Sequence, residues 1–311
     1  MFNSTLIPLM VVFPLIAAIL VNFLHKKDRS VKTIAIISSI VAVIIPLLTL
    51  YGVHLFSGHI RTESFPEISK LLIPDVYMGI VYSYGPLQKI LLALLTVMTV
   101  FVIFLSLNKK LISGVYIAMI FISLASVSAI ILADDFFNFF VFIEVLTVAQ
   151  AALVIAVKET KSHKAAFKYM IFGSISGGSI LLGIALLLGV YGLLNMTDLS
   201  NAIRAGGALQ PVALTAISLI TIGWLYESGL FPFHVVKSNM YENAMPEAAA
   251  LLQLQSKLVL VAMSIALLRI FSGYTLLKSV MLGFAIFTVV VGSVMALQQT
   301  DLRKLLSFVA V

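Results

Sequence analysis

Glu144, Glu227 and Lys257 each stand inside an apolar run, where a charged side chain costs at least ~2.5 kcal/mol to place in hydrocarbon. Side chains that costly face a bundle interior, and the chemistry they offer there is proton or cation exchange. Glu144 lies in Phe-Phe-Val-Phe-Ile-Glu-Val-Leu, with Thr147 and Gln150 as polar neighbours on its helix face. Its use is either a structural hydrogen bond between helices or, the reading favoured here, a proton or ion site. Lys257 lies in Leu-Gln-Leu-Gln-Ser-Lys-Leu-Val-Leu beside Gln253 and Ser256, too deep for its ammonium to snorkel out, which suits proton relay. Glu227 precedes Gly229, Pro232 and His234 in Tyr-Glu-Ser-Gly-Leu-Phe-Pro-Phe-His. Either the helix breaks here and frees carbonyls beside an ionisable group, or the span ends near Pro232 with His234 in the cytoplasmic interface.

The elements that must carry these residues follow from composition. Of the 311 residues 61% are hydrophobic and 11% charged, too little polar surface to wet a soluble fold. The mean hydropathy is +1.13, and the apolar runs are long enough to cross a ~30 Å hydrocarbon core, so the chain is expected to be an all-α polytopic membrane protein. Spans are expected near 4–24, 33–55, 88–107, 111–133, 136–157, 166–194, 211–233, 246–271 and 276–297. A tenth begins at Leu302, and the sequence ends inside its apolar run, which reads as a truncation. Alternation over Val76–Tyr82 suggests a small hairpin in the external loop 57–85.

Most of the 20 basic residues fall in the loops after odd-numbered spans, among them Lys26, Lys109, Lys158, Lys164, Lys237 and Lys304. The positive-inside rule therefore places the N-terminus outside and the chain in the cell membrane, multi-pass. The net charge of +7 is a topology signal, and no nucleic-acid partner is expected. Absence of cysteine excludes disulfide, thiolate and iron–sulfur chemistry in this chain. With no zinc motif, P-loop or Ser-His-Asp order, no catalytic residue, metal or cofactor is expected here, and any redox chemistry belongs to partners. The glycines from Gly173 to Gly183 point to close helix packing and not to a phosphate cradle.

Five segments in order carry a family resemblance: Asp-Asp-Phe-Phe-Asn-Phe-Phe-Val-Phe-Ile-Glu at 134–144, Lys168-Tyr169 before the glycine-rich span, Gly-Leu-Phe-Pro-Phe-His at 229–234, Ala250-Leu-Leu leading to Lys257, and Asp-Leu-Arg-Lys-Leu-Leu-Ser from Asp301. Over about residues 112–311 the chain resembles the antiporter-like proton-translocating subunits of respiratory complex I, membrane-bound hydrogenases, related archaeal respiratory complexes and Mrp-type sodium/proton antiporters. The resemblance implies a bundle built on two inverted five-helix repeats, each with a discontinuous helix, joined by buried charges at mid-depth. Here residues 1–110 would form an N-terminal three-helix segment, 111–271 the first repeat and 272–311 the start of a truncated second. The resemblance matches Glu144, Lys168 and Lys257 to the family's ionisable residues, and with Glu227 and His234 these are the expected pathway residues.

Two positions depart from the family pattern. Where relatives carry a lysine seven residues before the histidine this chain has Glu227, so two carboxylates sharing a proton are expected in place of a Glu–Lys pair. After His234 the family's Trp-Leu-Pro-Asp gives way to Val235-Val236-Lys237-Ser238-Asn239. The leading expectation is an antiporter-like subunit of a multisubunit redox-driven membrane complex, moving protons or sodium beside other membrane subunits, redox subunits and lipid. The alternatives are a non-pumping structural module of the same kind of complex and a self-sufficient cation/proton antiporter.

Overall fold

In hydrocarbon every backbone N–H and C=O must be satisfied within the chain, so each apolar run closes on itself as a helix. The structure is a computed structural model and describes residues 6–23, 28–51, 58–62, 80–107, 113–206 and 211–311. The helices are α1 (Leu6–Phe23), α2 (Asp28–Tyr51), α3 (Pro86–Leu107), α4 (Gly114–Leu132), α5 (Phe136–Ile155), α6 (Thr160–Tyr191), α7 (Met196–Ala205), α8 (Pro211–Ser228), α9 (His234–Glu242), α10 (Pro246–Ile270), α11 (Thr275–Leu297) and α12 (Leu302–Val309). Among the described residues seven helices are long and apolar enough to cross a membrane, and the N-terminal pair supplies two shorter apolar ones. Together they correspond to the nine expected spans, with α12 opening the tenth.

Local chemistry sets the boundaries. Ser113, Asp135, Asn195 and Asp301 cap α4, α5, α7 and α12, each side chain accepting a backbone N–H of the first turn. Pro246 stands at the start of α10, and Gly192 ends α6 with a φ of 67°. Buried α4 lies at the centre, against α1, α3, α5 and α10, and α6 packs along α8. Along that seam Ile180 sits against Gly223 and Ile220 against Gly183, the close approach expected of the glycine-rich span.

The small sheet differs from the expected hairpin. β1 (Gly58–Thr62) pairs antiparallel with β2 (Ile80–Tyr84), Gly58 opposite Tyr84 and Thr62 opposite Ile80. The pairing thus joins the two ends of the expected loop, and residues 76–79 of the alternating stretch lie outside the described residues. A short helix also appears where only a connection was expected. α7 buries Met196, Leu199, Ser200 and Ile203, one face at helical spacing, and packs on α10.

The end of the bundle that holds α7 is clamped by charge. Arg269 Nη1 lies 3.1 Å from Asp134 Oδ1, Arg269 Nη2 donates to Thr197 Oγ1 at 2.7 Å, and Thr197 Oγ1 donates to Asp134 Oδ2 at 2.7 Å. One guanidinium thereby ties α10 to the α4–α5 turn and to α7. Arg269→Met should lower stability by about 1.5–3 kcal/mol, the worth of hydrogen bonds to a charged group, while leaving the site below intact. Thermal unfolding of the solubilised complex carrying this chain checks it.

Candidate functional site

α8 does not run on straight into the residues that follow it. α8 ends at Ser228, Gly229 turns the chain with a φ of 71°, and a new helix starts at His234. Glycine takes this left-handed conformation without the steric penalty of a Cβ, and Pro232 cannot donate to a helical ladder. The helix is therefore interrupted between Glu227 and His234, and His234 is buried within the protein.

The break brings a cation inside. Lys237, four residues from the C-terminal end of the turn, is 1% exposed, and its Nζ lies 3.7 Å from Oε2 of Glu227, itself 2% exposed. Nζ also donates to the Tyr169 hydroxyl at 3.3 Å and sits over the rings of Tyr169 and Tyr226, 4.8 and 5.5 Å from their centroids. From this point hydrogen bonds continue in one direction. Tyr169 Oη donates to Gln150 Oε1 at 2.8 Å, Gln150 Nε2 to Gln255 Oε1 at 3.0 Å, and Gln255 Nε2 to Ser123 Oγ at 2.8 Å. Each of these residues comes from a different helix, so the buried chain crosses from α9 through α6, α5 and α10 to α4. Nearby Tyr241 donates to Ser256 at 2.7 Å, and the Tyr226 hydroxyl donates to the Tyr169 carbonyl.

Glu144 lies on α5, half-buried. Its carboxylate rests on Gly177 of α6, where an added Cβ would sit 1.6 Å from Oε1. The sequence expectation pairs Glu144 with a second carboxylate, Glu227. That expectation lacks a cation: Lys237, which the sequence places in a loop after the span, is enclosed on α9. Here Glu227 is paired with a lysine.

The remaining residues take different places. Lys257 is half-buried on α10, and its Nζ donates to the Val311 carbonyl at 2.8 Å. Its neighbour Gln255, not Gln253, joins the buried chain. Lys168 is exposed on α6. The inward face of that helix runs through Ser162, Ala165, Tyr169, Gly173 and Ser176, so the position next to Lys168 reaches the chain and Lys168 does not. His234 faces α11, with Nε2 3.2 Å from Met295 Sδ and its ring stacked on Phe231. Among the described residues no group of three acidic or histidine side chains is arranged to hold a metal ion.

Four residues join the site without being expected there from the sequence: Lys237, Tyr169, Gln255 and Ser123. The spacing of Tyr169 to Gly173 and Ser176 carries a signal for one of them. The others become visible only when helices are placed side by side.

Comparison with known proteins gives the same architecture. A family model described as NADH:quinone oxidoreductase/Mrp antiporter, TM, matches residues 133–311. An uncharacterized protein of Methanocaldococcus jannaschii is 34% identical over 308 residues, covering 98% of this chain and 61% of that protein. NADH-quinone oxidoreductase subunit N of Rhodococcus opacus is 32% identical over 188 residues, covering 58% of this chain and 34% of that protein. A chain of the membrane-bound sulfane sulfur reductase, an archaeal respiratory membrane complex, superposes with a TM-score of 0.82 at 24% identity, over 98% of this chain and 62% of that one. The chain thus spans at most 61% of the length of these two sequence relatives.

Proposed function

Since the chain belongs to the NADH:quinone oxidoreductase/Mrp antiporter transmembrane family, we propose that it is an antiporter-like subunit of a multisubunit redox-driven membrane complex and takes part in moving protons through the ionisable groups Glu144, Glu227 and Lys257. The observation that carries this reading is the enclosed polar chain from the Glu227 ion pair to Ser123. Two buried charges cost several kcal/mol each in desolvation, and a hydrophobic pair of similar volume would serve stability as well or better. Inside a membrane bundle such groups mark ion pathways. Protons suit the site better than sodium. An ammonium at its centre repels a metal cation and is itself a proton donor, whereas a sodium site would need converging oxygens.

In this reading the chain brings no redox group of its own. Its partners are other membrane subunits, redox subunits among them, and electron transfer there supplies the energy. The test is proton movement by the affinity-purified complex, reconstituted in liposomes with a pH-sensitive dye. Glu144→Gln should cut the rate at least ~10-fold, equivalent to ~1.4 kcal/mol on the barrier. A wild-type rate in that variant would reduce the chain to a structural module.

A further inference from the structure

A charged relay in a membrane needs a cation that can be paired and then released, and α8 itself carries a carboxylate, Glu227. The place of Lys237 answers that need from the other side of the helix break. It is the most enclosed lysine among the described residues. Its stem lies on Gly229, where an added Cβ would be 3.1 Å from Lys237 Cγ and 3.4 Å from its Cβ, so the turn that breaks the helix also seats the lysine. Its nitrogen has two alternative partners, the Glu227 carboxylate at 3.7 Å and the Tyr169 hydroxyl at 3.3 Å. One Glu227 oxygen, Oε1, is buried with no hydrogen-bond partner, so the carboxylate has an acceptor atom left for a proton.

We propose that Lys237 is the switching proton carrier of this chain, supplied across the helix break by α9 and paired with Glu227. The assignment rests on the translocation reading above. With Glu227 ionised, the pair is neutral and Lys237 holds its three protons. A proton arriving on Glu227 removes the attraction and leaves one surplus positive charge on the pair. An Nζ–H bond then breaks, and the proton passes through water to an acceptor outside the pair, such as the Lys257 amine when that amine is neutral. The pair is neutral again, now as carboxylic acid and amine, and transfer of the carboxyl proton to Nζ restores the starting state. One proton has been taken up and one released.

Arginine separates this role from that of a fixed structural cation, because a guanidinium keeps the charge and does not give up its proton. In the reconstituted complex, Lys237→Arg should assemble at wild-type yield and lower proton movement at least ~10-fold, the scale of a lost acid–base group. If the arginine variant does not assemble, the exchange Glu227→Lys with Lys237→Glu decides. Proton movement within about threefold of wild type supports the pair, since three-fold is under 1 kcal/mol on the barrier, and loss of movement overturns it. Wild-type movement by Lys237→Arg also overturns it. Glu144→Gln, run in parallel, separates the two failures. If Glu144→Gln blocks movement and Lys237→Arg does not, only the role of Lys237 falls. If neither blocks it, the translocation reading falls as well.

Discussion

Gly177→Ala should leave the protein as stable as wild type and still lower proton movement, on the order of 100-fold. The added methyl would occupy space 1.6 Å from Glu144 Oε1 and 2.8 Å from its Cδ. Those atoms are the far end of a flexible side chain, so the backbone of α5 and α6 need not shift. The carboxylate must. Alanine for glycine within a helix gains ~1 kcal/mol of intrinsic preference, which offsets a side-chain rearrangement. A reacting group displaced by ~1 Å loses about 100-fold in rate. The variant thus separates position from folding: melting temperature holds while dye-reported proton movement falls. Shortening the acid in the same background, Glu144→Asp with Gly177→Ala, should recover part of the rate, because aspartate draws the carboxylate back by one methylene. A double variant no faster than Gly177→Ala alone would count against the notch as the device that places Glu144.

Glu227→Ala should be the most damaging single change to stability, at about 3–5 kcal/mol, the cost of leaving one member of a buried ion pair without its partner. The damage comes from Lys237. Its ammonium keeps one tyrosine hydroxyl and two aromatic faces, which do not replace a carboxylate in an enclosed site. Adding Lys237→Met should therefore restore most of the lost stability, since a thioether of similar length fills the space without charge. The comparison is a double-mutant cycle on thermal unfolding of the solubilised complex. Additive losses would mean that the two residues do not depend on each other.

The membrane fold was largely legible because hydrocarbon leaves few choices: the apolar runs at 88–107, 136–157 and 246–271 lie close to α3, α5 and α10. Glu144 and Glu227 stood out for the same reason, as charges among apolar neighbours. Lys237 did not, because its surroundings in sequence, Lys-Ser-Asn, read as a loop. Whether such a stretch is loop or broken helix depends on whether α9 packs against α6, α10 and α12, which is a tertiary fact. Lys168 shows the converse. It sits next to a residue of the buried chain, but adjacent positions on a helix point about 100° apart, so Tyr169 turns inward and Lys168 outward. The Gln150–Gln255 bond joins residues 105 positions apart and leaves no trace in either local pattern. α7 was readable in principle from Met196, Leu199 and Ile203, although its ten residues are too short to compete with the membrane spans in a hydropathy scan.

The most direct measurement is proton movement during redox turnover by the reconstituted complex in which this chain carries Glu144→Gln and Lys257→Met together. Conduction through this chain predicts that electron transfer and assembly persist while the dye response falls at least ~10-fold below wild type. A full wild-type dye response from that double variant would contradict it, because protons would then cross the complex without using the buried charges of this subunit.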